Sequence, residues 1–219
     1  MHNEINTREI PLEREQGALL FIDVQNFCAH PDGGEFKELS NEERSEKYKF
    51  YFDRLNNTVL SNMQKLQAGF RSARMEVLYT VIESLTKDGR DRSLDYKITG
   101  FHVPKGSWDG KVLDEIAPGD DEIVLPKTSS SVFISTHIDY LLRNLGIRQL
   151  VISGLITDQC VESAVRDACD LGYLVTLVTD ACTTYSQERH DNALSEIQGY
   201  CRQITTDRLV QELDQIVNH

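Results

Sequence analysis

Apolar residues gather in short runs at Ala18 to Val24, Glu76 to Ile82, Glu122 to Leu125, Gln149 to Ser153 and Leu174 to Val178. Each run is too short for a helix and rich in Val, Ile and Leu, which predicts strands buried on both faces of a parallel sheet. Between the runs, apolar positions recur at a spacing of three and four. From Thr157 to Leu171, residues Val161, Ala164, Val165, Ala168 and Leu171 form one helical stripe, and Gly172 supplies a stop. A second helix is predicted over Ser135 to Leu145, ahead of Gly146, and others over Asn41 to Gly69, Gln187 to Ile197 and Thr206 to Val217. Strands alternating with helices require right-handed crossovers, so the expected fold class is α/β: a three-layer α/β/α sandwich with a mainly parallel central sheet. No repeat or linker interrupts the pattern, and residues 1–219 read as a single domain. The stretch from Glu83 to Asp121 has little periodicity and many polar and glycine residues, as expected of a loop covering an active site.

Composition narrows the function classes. With 40% hydrophobic and 26% charged residues the chain is ordinary for a globular protein. Its net charge of −12 argues against binding nucleic acid or an anionic membrane. The five cysteines are odd in number and lack the spacing of a zinc ribbon or redox pair, which fits a reducing, cytoplasmic setting. Charges scattered through Met1 to Gln16 leave no apolar core for a signal peptide, and no later run has membrane-spanning length.

In an open parallel sheet ligands bind beyond the carboxyl ends of the strands, so the polar residues that end the apolar runs are the candidates. They are Asp23, Glu83, Lys127 and the turn from Gly154 to Cys160. Thr157 reads as a helix N-cap, which would place the Cys160 thiol in a first helical turn, where the dipole lowers its pKa. Taken singly, Cys160 could equally be a small buried hydrophobe, Asp23 a solvated strand-end acid and Lys127 a surface lysine. Converging on one crevice, the three would form a nucleophile with its acid–base partners. Cys28, Cys169, Cys182 and Cys201 lack such a setting and read as packing residues.

These residues carry a family resemblance. Ala18-Leu19-Leu20-Phe21-Ile22-Asp23-Val24-Gln25, then Pro126-Lys127 with Ser130, Val132, Phe133 and Thr136, then Gly154-Leu155-Ile156-Thr157-Asp158-Gln159-Cys160-Val161 resemble, in order, motifs of the isochorismatase-like cysteine hydrolases. That family includes nicotinamidases, N-carbamoylsarcosine amidohydrolases and ureidoacrylate amidohydrolases. The resemblance implies a catalytic triad of Asp23, Lys127 and Cys160, a cis Leu155–Ile156 peptide, an oxyanion hole made by the N–H groups of Ile156 and Cys160, and a homodimer or homotetramer.

Substrate is less determined. Nicotinamidases of the family commonly carry an Asp-x-His metal site between the first acid and the lysine, whereas that interval holds only His30 and His102 here, so no metal and no cofactor is expected. Isochorismatases proper cleave a vinyl ether without a cysteine nucleophile, so Cys160 favours a small amide, ureide or N-carbamoyl substrate. The run Lys105-Gly106-Ser107-Trp108-Asp109 also resembles the ureidoacrylate amidohydrolases. Glu83, Gln25, Trp108 and Tyr185 are candidate substrate-binding residues. Glu83 could accept from urea-type N–H groups or pair with Arg90 or Arg92, and Trp108 could wall the substrate or anchor its loop. Arg90 and Arg92 read as a surface ion-pair cluster with Asp88 and Asp91, and His190 as a structural residue. A catalytically idle binding protein of the same fold is the alternative from another class.

Overall fold

The computed structural model describes residues 7–218, so the first six positions of the charged Met1 to Gln16 stretch lie outside the described residues. Six strands form one sheet: β1 (Gly17–Ile22), β2 (Glu76–Ile82), β3 (Ile123–Lys127), β4 (Gln149–Leu155), β5 (Leu174–Thr183) and β6 (Arg202–Ile204). Their order is β3-β2-β1-β4-β5-β6, with every pairing parallel. Helices α1 (Asn26–Ala29), α2 (Asn41–Lys47), α3 (Lys49–Arg54), α4 (Leu60–Ser72), α5 (Leu94–Ile98), α6 (Val132–Ser135), α7 (Ile138–Asn144), α8 (Glu162–Asp170), α9 (Gln187–Ile197) and α10 (Thr206–Asn218) fill the connections.

Period-two alternation divides each strand between two cores. On β1, Leu19 and Phe21 join Met63, Leu66 and Phe70 of α4 and Leu209 and Leu213 of α10, all buried. Ala18, Leu20 and Ile22 point the other way, onto Leu142 of α7 and Ala164, Val165 and Ala168 of α8. Each large side chain so buried contributes roughly 1.5–3 kcal/mol relative to exposure. Gly69 sets how close two helices come, since a Cβ there would stand 2.8 Å from Leu213 Cδ1.

Chain direction reverses beside β1: β2 and β3 are added on one side, β4 to β6 on the other. Such a switch point leaves a crevice beyond the carboxyl ends of the two central strands, here β1 and β4.

The element boundaries differ from the sequence pattern where a local rule yields to position in the sheet. β3 runs through Pro126 to Lys127 because it is an edge strand, where the missing N–H costs no ladder bond. β5 continues past Val178 across a register shift opposite Ile152 and Gly154, so the polar Thr179 and Asp180 interrupt its pattern without ending it. Three-residue β6 has too few apolar positions to signal itself. The helix predicted over Asn41 to Gly69 breaks at Tyr48 and carries a π-helical turn at Leu55–Val59. That over Ser135 to Leu145 is α7, which starts three residues later, after a separate short α6 capped by the Ser131 hydroxyl. The covering stretch 83–121 is not structureless: it holds α5 and single 3₁₀ turns at Trp108–Gly110 and Asp114–Ile116.

Candidate active site

Asp23 follows β1 with φ of +54°, a left-handed conformation that Asp adopts more readily than most residues. Its N–H donates to the Thr80 carbonyl (3.1 Å), and its Oδ1 accepts from the Thr80 hydroxyl (2.8 Å). β2 thereby fixes the carboxylate over the sheet end. Alongside, Gly154 of β4 lets two backbones touch, since a Cβ there would stand 2.3 Å from the Ile22 carbonyl oxygen.

Lys127 ends β3 and is fully buried. Its Nζ lies 2.9 Å from Asp23 Oδ2 and 3.4 Å from Cys160 Sγ. It also donates to the carbonyls of Ser129 (2.7 Å) and Ser130 (3.1 Å) and to the Tyr96 hydroxyl (3.1 Å). Burial works against the ammonium, but Asp23, Cys160 and Tyr96 together hold its pKa above the ordinary lysine value, which favours the charged form. The contact with Asp23 Oδ2 is a buried ion pair, the charge-assisted approach of an ammonium to a carboxylate.

Cys160 is 6% exposed. Burial pushes its thiol up to about 12; Lys127 pulls the value down and Asp23 adds to the rise. Desolvation of the sulfur thus opposes the lowering expected from a helix N-terminus. Thr157 is not the N-cap. That position belongs to Ile156, without a side-chain cap, and the chain enters α8 through a π turn at Thr157–Val161. The Thr157 hydroxyl instead pairs with His190 Nδ1 at 3.0 Å, and Arg54 stands 3.0 Å from the other ring nitrogen. Buried His190 is structural, as its sequence setting suggested. The Leu155–Ile156 peptide is cis, and the Ile156 carbonyl accepts from the N–H groups of Gln159 and Val161.

Sequence reasoning missed Tyr96. This residue of α5 is 2% exposed, and its hydroxyl lies 3.9 Å from Cys160 Sγ as well as within reach of Lys127. The covering stretch offered no periodic signal, and only the Ser93 cap of α5 marks the element that carries it. Phe101 packs on both Tyr96 (5.4 Å) and Phe27 (5.5 Å) and lines a cavity of about 630 Å³ with Phe27, Glu35, His102 and Asp109.

The side chains of the other candidates find their partners outside the triad. Gln25 is buried and donates to the carbonyls of Ile82 and Asp109 (both 2.9 Å), tying β2 to the covering stretch. Glu83 accepts from the Gly106 N–H at 3.0 Å. Trp108 is 46% exposed and packs edge-on against His30, away from the triad's immediate contacts. Tyr185 donates to Glu35, whose carboxyl burial raises to about 7 although the Tyr185 bond favours its ionised form. Arg90 pairs with Asp88 on the surface as expected, but Arg92 does not join them. It donates to the carbonyls of Gly89 (2.9 Å) and Phe101 (2.7 Å), bracing the loop around α5, while Asp91 accepts from Leu85 and Thr86. Among the described residues no cluster of three or more His, Cys, Asp or Glu side chains could hold a metal ion. Nor is any helix among them long and apolar enough to cross a membrane.

An Isochorismatase domain family model matches residues 17–208. Among solved structures, the chain resembles a cysteine hydrolase from Pseudomonas syringae pv. phaseolicola 1448A (TM-score 0.80, 19% identity, covering 94% of this chain and 96% of that one). It also resembles an isochorismatase family protein from Desulfovibrio vulgaris subsp. vulgaris str. Hildenborough (0.70, 22%, 94% and 100%). An N-carbamoylsarcosine amidase from Thermoplasma acidophilum is similar at 26% identity with a TM-score of 0.67, over 88% of this chain and 97% of that one.

Proposed function

This chain belongs to the isochorismatase family, and from that premise we propose that it is a cysteine amidohydrolase cleaving a C–N bond of a small amide, ureide or N-carbamoyl compound. One observation carries the reading: a buried thiol stands 3.4 Å from a lysine that itself stands 2.9 Å from a buried carboxylate oxygen. That oxygen, Asp23 Oδ2, is the base. A thiol pushed up to about 12 does not release its proton to water at neutral pH, but transfer to Asp23 inside the site leaves the net charge unchanged and places the thiolate beside Lys127.

Cys160 Sγ then attacks the substrate carbonyl carbon, and the N–H groups of Ile156 and Cys160 hold the developing oxyanion. The tetrahedral intermediate collapses with cleavage of the C–N bond, and the departing amine or ammonia takes the proton from Asp23. Water, deprotonated by Asp23, hydrolyses the thioester and restores the thiol. The similar N-carbamoylsarcosine amidase favours this chemistry over vinyl-ether hydrolysis, as does the cysteine itself.

Ammonia release screened over ureides, N-carbamoyl acids, nicotinamide and maleamate tests the reading. Turnover of one of these that disappears in a folded Cys160→Ala protein is the expected result. Turnover surviving in Cys160→Ala, or isochorismate hydrolysis with the whole panel inert, would refute it.

A further inference from the structure

The geometry points to Tyr96 as a further catalytic residue, a hydrogen-bond donor that stabilises the Cys160 thiolate. This inference rests on Cys160 being the nucleophile. Lys127 has three N–H donors, yet five acceptors surround it: Asp23 Oδ2 at 2.9 Å, the Ser129 and Ser130 carbonyls, the Tyr96 hydroxyl and Cys160 Sγ. The carboxylate and the two fixed carbonyls can take all three donors, so the sulfur shares them. A lone ammonium so committed only partly solvates a buried thiolate.

Tyr96 supplies the missing donor. Its oxygen accepts from Lys127 at 3.1 Å, and the acceptor placed for its own proton is Cys160 Sγ at 3.9 Å. That separation is long while the sulfur is a thiol, and it contracts when the sulfur becomes an anion, because hydrogen bonds to charged acceptors are shorter and stronger. Burial holds the phenol above its ordinary pKa, so the proton stays on oxygen and is available to donate. Only the S–H bond breaks: Asp23 takes the thiol proton on its carboxylate oxygen, Tyr96 keeps its own, and the negative charge on sulfur is shared between an ammonium and a phenol. Placement fits the role, since Ser93 caps α5, Arg92 braces the loop that follows it and Phe101 packs on the ring, which together fix the hydroxyl.

Tyr96→Phe keeps the ring and removes the donor. Iodoacetamide alkylation between pH 6 and 8, mapped by peptide mass spectrometry, reads the thiolate at Cys160, with half-buried Cys169 as a control for fold and reagent. The ratio of the Cys160 rate to the Cys169 rate should fall about 10-fold or more, the loss of one hydrogen bond to a charged group, with a matching fall in kcat and a KM changed less than about 2-fold. Placing 3-fluorotyrosine at position 96 keeps the packing, makes the O–H a stronger donor, and should raise the ratio; this readout holds even should the phenylalanine variant not fold. An unchanged ratio in either protein overturns the proposal, as does a fall in kcat with the ratio unmoved. Failure of the wild-type Cys160 to react at all would instead count against its role as nucleophile.

Discussion

Two buried ion pairs stand at separate places in this molecule. Arg202 of β6 and Glu212 of α10 are 5% and 8% exposed. The guanidinium meets the carboxylate with two nitrogens, one at 3.0 Å, while the Leu12 N–H also donates to Glu212 and Arg202 donates to the Ile10 carbonyl. Two planar forks face each other, and the pair fastens the amino-terminal segment to the sheet edge. Asp23 and Lys127 are even more deeply buried but differently matched: a point charge with three donors is shared among a carboxylate, two backbone carbonyls, a phenol and a thiol. Burying charge costs free energy in both places. The first pair offsets it through a two-nitrogen fork on one carboxylate, with only Arg202 Nε left without a hydrogen bond; the second divides one cation among several partners beside a thiol, which is where chemistry can occur.

The largest effect should come from breaking the mismatched pair. Lys127→Met should lower kcat by at least about 10³-fold, as expected for loss of the charge that stabilises the thiolate, and slow Cys160 alkylation in parallel. Arg202→Met should do the opposite: a stability loss of about 3–5 kcal/mol in urea unfolding, because Glu212 is left buried and unpaired, with Cys160 alkylation of the folded protein unchanged. Arg202→Met/Glu212→Leu should recover most of that loss. Equal losses of activity from the two single substitutions would erase the distinction between the pairs.

A smaller effect tests the wall behind Cys160. Burial, with Arg54 beside it, pulls His190 down to about 4, so on acidification the unfolded chain takes up its proton first. The stability this contributes is complete above about pH 6.5 and is lost as pH falls toward 4. Glu35, raised to about 7, acts in the opposite sense across an overlapping window: its contribution is complete at low pH and lost as pH rises through 7. The wild-type minus His190→Gln difference isolates the histidine, and it should change by on the order of 1–2 kcal/mol between pH 7 and 4.5. A flat difference would mean that His190 is solvated.

The sheet was legible in the sequence because strands buried on both faces leave continuous apolar runs, and its carboxyl edge because a polar residue ends each run. Asp23, Lys127 and Cys160 could be found by that rule. Their electrostatics could not: the helix-terminus reading of Thr157 and Cys160 treated the turn as local, whereas burial in the fold desolvates the sulfur and α9 brings His190 to Thr157. Tyr96 was hidden for a related reason. It comes from an aperiodic stretch, and only the folded path of α5 brings it to the sulfur. Gln25 and Glu83 were noticed as polar strand-end residues, yet their bonds go to backbone of the covering stretch, a pairing that residue type does not encode.

One measurement separates reactivity from mere access. Among the free cysteines, Cys169 is half-buried while Cys28, Cys160, Cys182 and Cys201 are buried. If exposure alone governed reaction, Cys169 would be alkylated first. Treating the folded protein with iodoacetamide at neutral pH and mapping the label over time should show Cys160 modified ahead of Cys169, with Cys28, Cys182 and Cys201 unlabelled. Cys169 reacting first while Cys160 remains free would contradict a nucleophile activated by Asp23 and Lys127.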